Sequence, residues 1–309
     1  MRKYIQIRLI YMVITFLIIT TLSFFLMHTL PGTPFNDEKL SDTQKARLNE
    51  KYGLDQPVVV QYVRYLANIA RGDFGISYQF DGQPVSKVIR DRVGPTIQLG
   101  LQSLVFGTIV GLALGLLAAV KRHSLIDQGA MVIAVLGVSI PSFVFAGFLQ
   151  YWVGVRLQWL PIAFWGRFEH TILPSLALSV GVIATVARYV RMEMLDVMTQ
   201  DYMATAKAKG LGTLTIIVKH GLRNALIPVI TIMGPLVVGL LTGSLVIEQI
   251  FSVPGIGEQF TKSVMTNDYP VIMATTLFFA VLFIGIIFIV DLLYGVIDPR
   301  IRLAGRDQS

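Results

Sequence analysis

An all-α membrane protein with six transmembrane helices is what this sequence predicts, and three observations predict it. The chain of 309 residues is 54% apolar, too much for a soluble domain of this length. Stretches free of Asp, Glu, Lys and Arg run from Leu9 to Asn36, Val93 to Val120, Gln128 to Val155, His170 to Ala187, Asn224 to Ile247 and Tyr269 to Val290. A helical crossing needs about 20 mostly apolar residues; all but the fourth fit comfortably, and the fourth is near the lower limit. The cations alternate along the chain. Arg2, Lys3 and Arg8 precede the first span, and Lys121 and Arg122 follow the second. Arg188, Arg191, Lys207, Lys209, Lys219 and Arg223 follow the fourth, and Arg300, Arg302 and Arg306 close the chain. The short loops in between carry only Arg156, Arg167 and Lys262, an asymmetry that predicts two cytoplasmic termini. The formal net charge of +7 thus reports orientation in membrane lipid, not nucleic-acid binding.

In chain order, the first span is expected at about 9–27. Its apolar run is too long for most signal peptides and no small-x-small cleavage site follows, so it reads as a retained helix. Leu30-Pro-Gly-Thr-Pro34 then forces an extended turn. The segment from about 28 to 92 has soluble composition and is long enough to cross regardless of charge. Within it, Ser41–Tyr52 reads as a polar helix opening at Ser41 or Asp42. Pro57–Arg71 reads as an amphipathic helix on Val58, Tyr62, Tyr65, Leu66 and Ile69, broken by Gly72-Asp-Phe-Gly75. So small a segment buries little core alone and is expected to pack on the outer ends of the spans.

The remaining spans are expected at about 96–120, 130–153, 171–187, 225–248 and 271–292. In the second, Gly107, Gly111 and Gly115 make a smooth stripe for close packing in lipid. The third carries Ser139-Ile-Pro141-Ser142, where proline predicts a kink and the polar groups are candidates for lining a polar path among the spans. Trp159 and Trp165 are expected as interface anchors. The fourth continues as a helix through Arg188-Tyr-Val-Arg191, with Arg188 expected to pair with nearby acids on a solvated face. The fifth contains Gly243-Ser244, further candidates for the path, and ends at Glu248, an interfacial anchor or a functional acid. Val253-Pro254-Gly255-Ile-Gly257 reads as a tight external turn.

The loop at about 199–223 is polar and basic between greasy neighbours. Thr199 or Asp201 is expected to cap a short helix that Gly210 stops in the left-handed conformation, with Lys207 and Lys209 at its C-terminal end. Ala204, Ala206 and Ala208 keep that helix thin, so that another surface can approach closely, and a second helix starts near Thr213. A docking element for a partner and an ordinary helical loop both fit these local features.

Resemblance separates them. Ala204-Thr205-Ala206-x-x-x-Gly210 resembles the Glu-Ala-Ala…Gly loop by which ABC-importer permeases grip their ATPases. The fuller string Thr205-Ala206-Lys207-Ala208-Lys209-Gly210 resembles the version found in the oligopeptide, dipeptide and nickel permease family. The glutamate of the general motif is absent, and Ala204 stands where the family often has a basic residue, so the match is one of shape and not of an ion pair. Tyr52-Gly-Leu-Asp-Gln-Pro57 and Arg71-Gly-Asp-Phe-Gly75-x-Ser77 resemble the external N-terminal region of peptide permeases. Val246-Ile-Glu248-x-Ile-Phe251-x-x-Pro254-Gly255-x-Gly257 and Val290-Asp291 through Asp298-Pro-Arg300 extend the match over nearly the whole chain, which looks most like a B-type oligopeptide permease subunit. The resemblance implies a type I ABC-importer transmembrane domain at 93–298, an N-terminal region at 1–92 and a cytoplasmic tail at 299–309. It also implies a homologous second permease subunit, two cytoplasmic ATPases that carry ATP and magnesium, an external solute-binding protein and a peptide substrate.

The chemistry absent from the sequence is consistent with that. No Gly-Lys dipeptide occurs, hence no P-loop, and neither His-Glu-x-x-His nor Gly-x-Ser-x-Gly is present. The 4 histidines are scattered and cysteine is absent, so no catalytic site, bound cofactor or metal site is expected on this chain. Dipeptides, glutathione and nickel chelates are alternative substrates. An ion-coupled secondary transporter is the rival of a different class, but it needs mid-membrane charges that these spans lack. A non-transporting scaffold would have no evident use for the helix-glycine-helix loop.

Overall fold

The structure, a computed structural model, describes residues 2–29, 42–80 and 82–297. The expected turn at Leu30–Pro34, the motif Asp298-Pro-Arg300 and the tail at 299–309 lie outside the described residues. In chain order the helices are α1 (Arg2–Met27), α2 (Asp42–Tyr52), α3 (Val58–Ala70), α4 (Val85–Val120), α5 (Leu125–Ser139) and α6 (Ser142–Leu149). They continue as α7 (Glu169–Met198), α8 (Asp201–Ala208), α9 (Thr213–Thr215), α10 (Arg223–Leu241), α11 (Leu245–Ile250), α12 (Ile256–Met265) and α13 (Tyr269–Ile297). Wider π-helical turns extend α6 over Gln150–Arg156 and join α9 to α10 over Ile216–Leu222. The chain separates into two compact units, one drawn from Met1–Pro95 and Pro254–Ile284, the other from Thr96–Val253 and Gly285–Ser309.

In the first unit α3 packs against the ends of two long apolar helices. The aromatic rings Tyr62 and Tyr65 on its apolar face lie against Phe24 and Met27 at the end of α1 and Met273 of α13. Glycines with positive φ close the short helices: Gly53 (φ 70) after α2 and Gly72 (φ 76) after α3. A single antiparallel bridge between Ile76 and Pro84 follows, with Ser77 N–H donating to Gln83 O at 2.9 Å and Val85 N–H to Gly75 O at 3.0 Å. The helix α4 begins at Val85, well before the expected start, and carries Pro95 inside it. Val85 and Val88 of its first turns are buried against Val271 and Ala274, and this burial extends the helix outward.

The second unit is built on the glycine stripe. A Cβ on Gly107 would lie 2.6 Å from Val182 Cβ, one on Gly111 2.8 Å from Val186 Cβ, and one on Gly115 2.6 Å from Ala187 O. No real side chain fits at such distances, so α4 and α7 run in contact at backbone range. Val182, Val186 and Val190 form the centre of a core that Ala225 and Val229 of α10 complete.

The third span departs from expectation. Pro141 does not merely kink it: α5 and the helix from Ser142 to Arg156 meet at 104°. Ile140 has left the helix (φ −85, ψ 121), because the residue before proline is pushed out of helical geometry. The bent pair nevertheless follows α7 along its length. Asp127 at its start bonds Arg191, Gly137 faces Val180 and Ala184, and Ala146 joins Leu173 and Ala177 in one cluster. Among the described residues five helices are long and apolar enough to cross a membrane, and counting the bent pair as one span makes six. The fifth span is interrupted too, at Gly243 (φ 84), where a continuous helix to Glu248 was expected. Trp165 packs on the buried cluster around Leu173, while Trp159 is exposed as an anchor would be.

Candidate functional site

The polar stretch after the fourth span folds as a short helix with two unlike faces. Its N-cap is Gln200, with extended backbone and no side-chain cap bond. The expected capping by Thr199 or Asp201 is therefore corrected: Thr199 Oγ1 donates back to Asp196 O at 2.7 Å and finishes α7. At the other end Lys207 lies in the last turn and Lys209 is the C-cap residue. Gly210 has φ 74, and its N–H donates to Lys207 O at 3.0 Å, so the left-handed stop is where the sequence put it. A Cβ there would meet nothing within 4 Å, so backbone conformation alone selects glycine.

Met203 and Ala206 are buried, whereas Asp201, Ala204, Thr205, Lys207, Ala208 and Lys209 are exposed. The expectation of three open alanines is thus corrected for Ala206, which follows Met203 by one turn on the inner face. Beyond the glycine, Leu214 is 76% exposed, and sequence reading missed it. An apolar residue directly after a helix stop, inside a polar stretch, was the available signal.

A side-chain hydrogen bond ties α8 to α10. Asn224 Nδ2 donates to Tyr202 Oη at 3.0 Å and to His220 O at 2.9 Å. Gly221 of the π-helical turns allows Met194 to approach, since a Cβ there would lie 3.0 Å from Met194 Cε. A second tie runs from the end of α7 to the start of α5. Arg191 donates through Nε to Asp127 Oδ1 at 2.5 Å and through Nη2 to Oδ2 at 2.8 Å. Asp127 also accepts from His123 N–H at 3.0 Å, and Ser124 Oγ accepts from Asp127 N–H, so one carboxylate organises the turn and bolts it to α7. Arg188 is exposed, as a solvated face requires, but the expected pairing with nearby acids is not formed among the described residues. The capping pattern Ser124-x-x-Asp127 was legible, but its partner on another helix was not.

The other candidates are dispersed. Ser139, Pro141 and Ser142 are exposed around the bend of the third span. Gly243 and Ser244 form the break in the fifth, where Ser244 Oγ accepts from Ile247 N–H at 3.4 Å and caps α11. Glu248 is buried, accepting from Thr96 Oγ1 at 2.8 Å. In the first unit Gly255 is the N-cap of α12 after Pro254, and Gly257 is already helical and buried, which corrects the reading of 253–257 as a turn throughout. Buried Asp268 accepts from Ser77 Oγ and from Tyr78 N–H at 3.1 Å; burial pushes its carboxyl above the usual range, and these hydrogen bonds oppose the shift. Among the described residues no cluster of three His, Asp or Glu side chains is placed to hold a metal ion.

Long apolar helices with an exposed polar helix-glycine-helix element between two of them are the architecture of a multi-span membrane protein. The chain belongs to the family of binding-protein-dependent transport system inner membrane components, which matches residues 111–303, and the N-terminal membrane component of such systems matches residues 1–100. It is similar to the dipeptide transport system permease protein DppB of Lactococcus lactis subsp. cremoris (strain MG1363), 44% identical over 303 residues, covering 98% of this chain and 100% of the relative. It is also similar to the oligopeptide transport system permease protein OppB of Haemophilus influenzae (strain ATCC 51907 / DSM 11121 / KW20 / Rd), 40% identical over 305 residues, covering 98% and 100%. A chain of the solved MetNI methionine ABC transporter in an inward-facing conformation superposes with TM-score 0.57 at 20% identity, over 70% of this chain and 99% of that one. This likeness is one of fold, the type I importer membrane fold. The chain is a multi-pass ABC-importer permease subunit of the inner membrane and not an enzyme.

Proposed function

We propose that this chain is half of the membrane pore of an ATP-driven peptide importer, and that α8 is the element through which the ATPases move it. The observation that carries this reading is the two-faced geometry of α8. Its outer face offers Asp201, Ala204, Thr205, Lys207, Ala208 and Lys209 with Leu214 beside them, while Met203 and Ala206 anchor the inner face. Force applied to the outer face has a stiff route inward, because α8 bonds α10 through Tyr202 and Asn224, and α7 bonds α5 through Arg191 and Asp127. Magnesium and ATP sit on the partner ATPases, a second homologous permease completes the pore, and an external binding protein delivers the substrate. The positive-inside asymmetry supports an orientation with both termini and α8 in the cytoplasm and the segment from about 35 to 92 outside.

Oligopeptides are the substrate that the sequence motifs favour. A second reading, dipeptides, is favoured by the relative named as a dipeptide permease, which is 44% identical against 40% for the oligopeptide permease. Ser139, Pro141, Ser142, Gly243 and Ser244 suit a path for either, since small polar groups at breaks in two spans hold a variable solute weakly and leave selection to the binding protein. The test is uptake into proteoliposomes holding both permeases and both ATPases, with peptides of graded length. Uptake should require ATP and the binding protein and survive collapse of proton and sodium gradients. Accumulation by this chain alone in response to a gradient refutes the importer reading. Transport of chelated nickel or glutathione without any peptide refutes the substrate class and keeps the importer. Gly210→Val, strained by about 1 kcal/mol or more at a positive φ, should insert normally and lose substrate-stimulated ATP hydrolysis; wild-type stimulation would remove α8 as the coupling element.

A further inference from the structure

The first unit contains a cavity that the import reading leaves without a role. Its volume is about 280 Å³, and it opens between the end of α1, the faces of α2 and α3, and the start of α13. Phe24, Met27 and Met273 form a buried apolar floor, and the rings of Tyr52, Tyr65 and Tyr78 stand in the walls. Two cations, Lys51 and Arg64, lie at the exposed rim. Lys51 Nζ lies 5.2 Å from the Tyr52 ring centroid. Arg64 has no hydrogen-bond or ion-pair partner among the described residues. Its Nη1 is 2.9 Å from where a Cβ on Gly53 would be, so the left-handed glycine that ends α2 also makes room for the guanidinium. The acid at the rim, Asp73, already accepts from Gly75 N–H at 2.8 Å through Oδ1. On the same wall the Tyr65 hydroxyl is buried without a hydrogen-bond partner.

We propose that this cavity binds a small monocarboxylate with an aromatic or branched apolar body, the body on the floor and the carboxylate on Arg64. An unpaired guanidinium at an apolar cavity is an anion site by charge, and its planar fork fits a carboxylate. Aromatic walls give an apolar body a large contact area. The volume of about 280 Å³ lies just below the roughly 300–1,000 Å³ typical of ligand sites, which suits one amino-acid-sized molecule and not a peptide chain. His28, also on the lining, has its nitrogens turned to partners of its own, Nδ1 2.9 Å from Phe24 O and Nε2 3.3 Å from Gln61 Oε1, so Arg64 carries the recognition. The proposal concerns binding alone and stands or falls separately from peptide import.

The experiment is calorimetric titration of the full chain in lipid nanodiscs with N-acetyl-phenylalanine and with its amide. The acid should bind saturably and the amide about tenfold more weakly, the loss expected for one charge-assisted hydrogen-bond site. R64Q should bring the acid down to the affinity of the amide while leaving amide binding unchanged, which also reports an intact floor; R64K should recover part of the difference. Equal binding of acid and amide by the wild-type chain, or no saturation by either, overturns the proposal whatever the variants do. An R64Q chain that keeps the wild-type preference overturns the role of Arg64.

Discussion

Arg191 and Asp127 are joined by two parallel hydrogen bonds, 2.5 and 2.8 Å long, between the end of α7 and the first turn of α5. Asp127 is 5% exposed in its side chain and Arg191 27%, so removing Arg191 strands a buried carboxylate and removing Asp127 a half-buried guanidinium. D127A or R191A should cost about 3 kcal/mol, the low end for a broken buried pair because Arg191 keeps some contact with water. Thermal unfolding of the purified chain measures that cost. If α7 and α5 must move together, each variant should also lose substrate-stimulated ATPase activity in the complex, and the exchange D127R/R191D should recover part of both. An exchange that recovers stability but no stimulation would confine the pair to a structural role.

Gly111 tests the backbone contact of α4 and α7. An added Cβ would stand 2.8 Å from Val186 Cβ and 3.0 Å from Ile183 O. Neither neighbour yields without moving a helix, so Gly111→Val should cost about 1–3 kcal/mol or prevent stable insertion. Gly181, where a Cβ would meet nothing within 4 Å, provides the contrast: Gly181→Ala should leave folding yield unchanged. Equal yields from Gly111→Val and wild type would mean that the stripe is not an interface.

Asp268 gives the first unit a dependence on pH. Burial raises its carboxyl, and Ser77 and Tyr78 donate hydrogen bonds that lower it; burial prevails. A carboxyl raised in the folded state stabilises the fold most below the ordinary carboxylate range, near pH 4, and that contribution is lost as pH rises through the raised value. The wild-type Tm should therefore fall relative to that of D268N between about pH 4 and about pH 7. A wild type that gains on the variant over this interval would show that the hydrogen bonds outweigh burial.

The elements visible in the sequence are those whose cause is local. Apolar length announced the spans, Gly210 stopped its helix as written, and the Gly107, Gly111 and Gly115 stripe packs as such stripes do. What escaped has its cause elsewhere in the chain. Nothing near Arg191 says that its partner is Asp127, a residue in another helix, whereas Arg188 has an acid close by at Glu193 and yet stays exposed. Ala206 and Ala204 are chemically alike, and only the neighbours that bury Met203 decide which of them faces inward. Proline at 141 predicts a disturbance but not its size, because a kink and a break differ in what the surrounding helices accommodate.

That break makes the crossing of the third span the sharpest test of the topology. Two helices meeting at 104° could form one broken crossing or a re-entrant loop returning to the side it left. The contacts argue for a crossing: Asp127 meets α7 at Arg191, and Ala146 meets it near Leu173 and Ala177, close to the other end of the same helix. The chain contains no cysteine, so single cysteines report position without background. Leu125, 85% exposed before the break, and Trp159, 73% exposed after it, are open to a membrane-impermeant thiol reagent. A cysteine at Trp159 should label from outside intact cells, and one at Leu125 only after permeabilisation, in agreement with a cysteine at Lys209 on the α8 side. If cysteines at 125 and 159 label alike, the bent pair is re-entrant, every later span reverses, and α8 cannot lie in the cytoplasm together with the N-terminus.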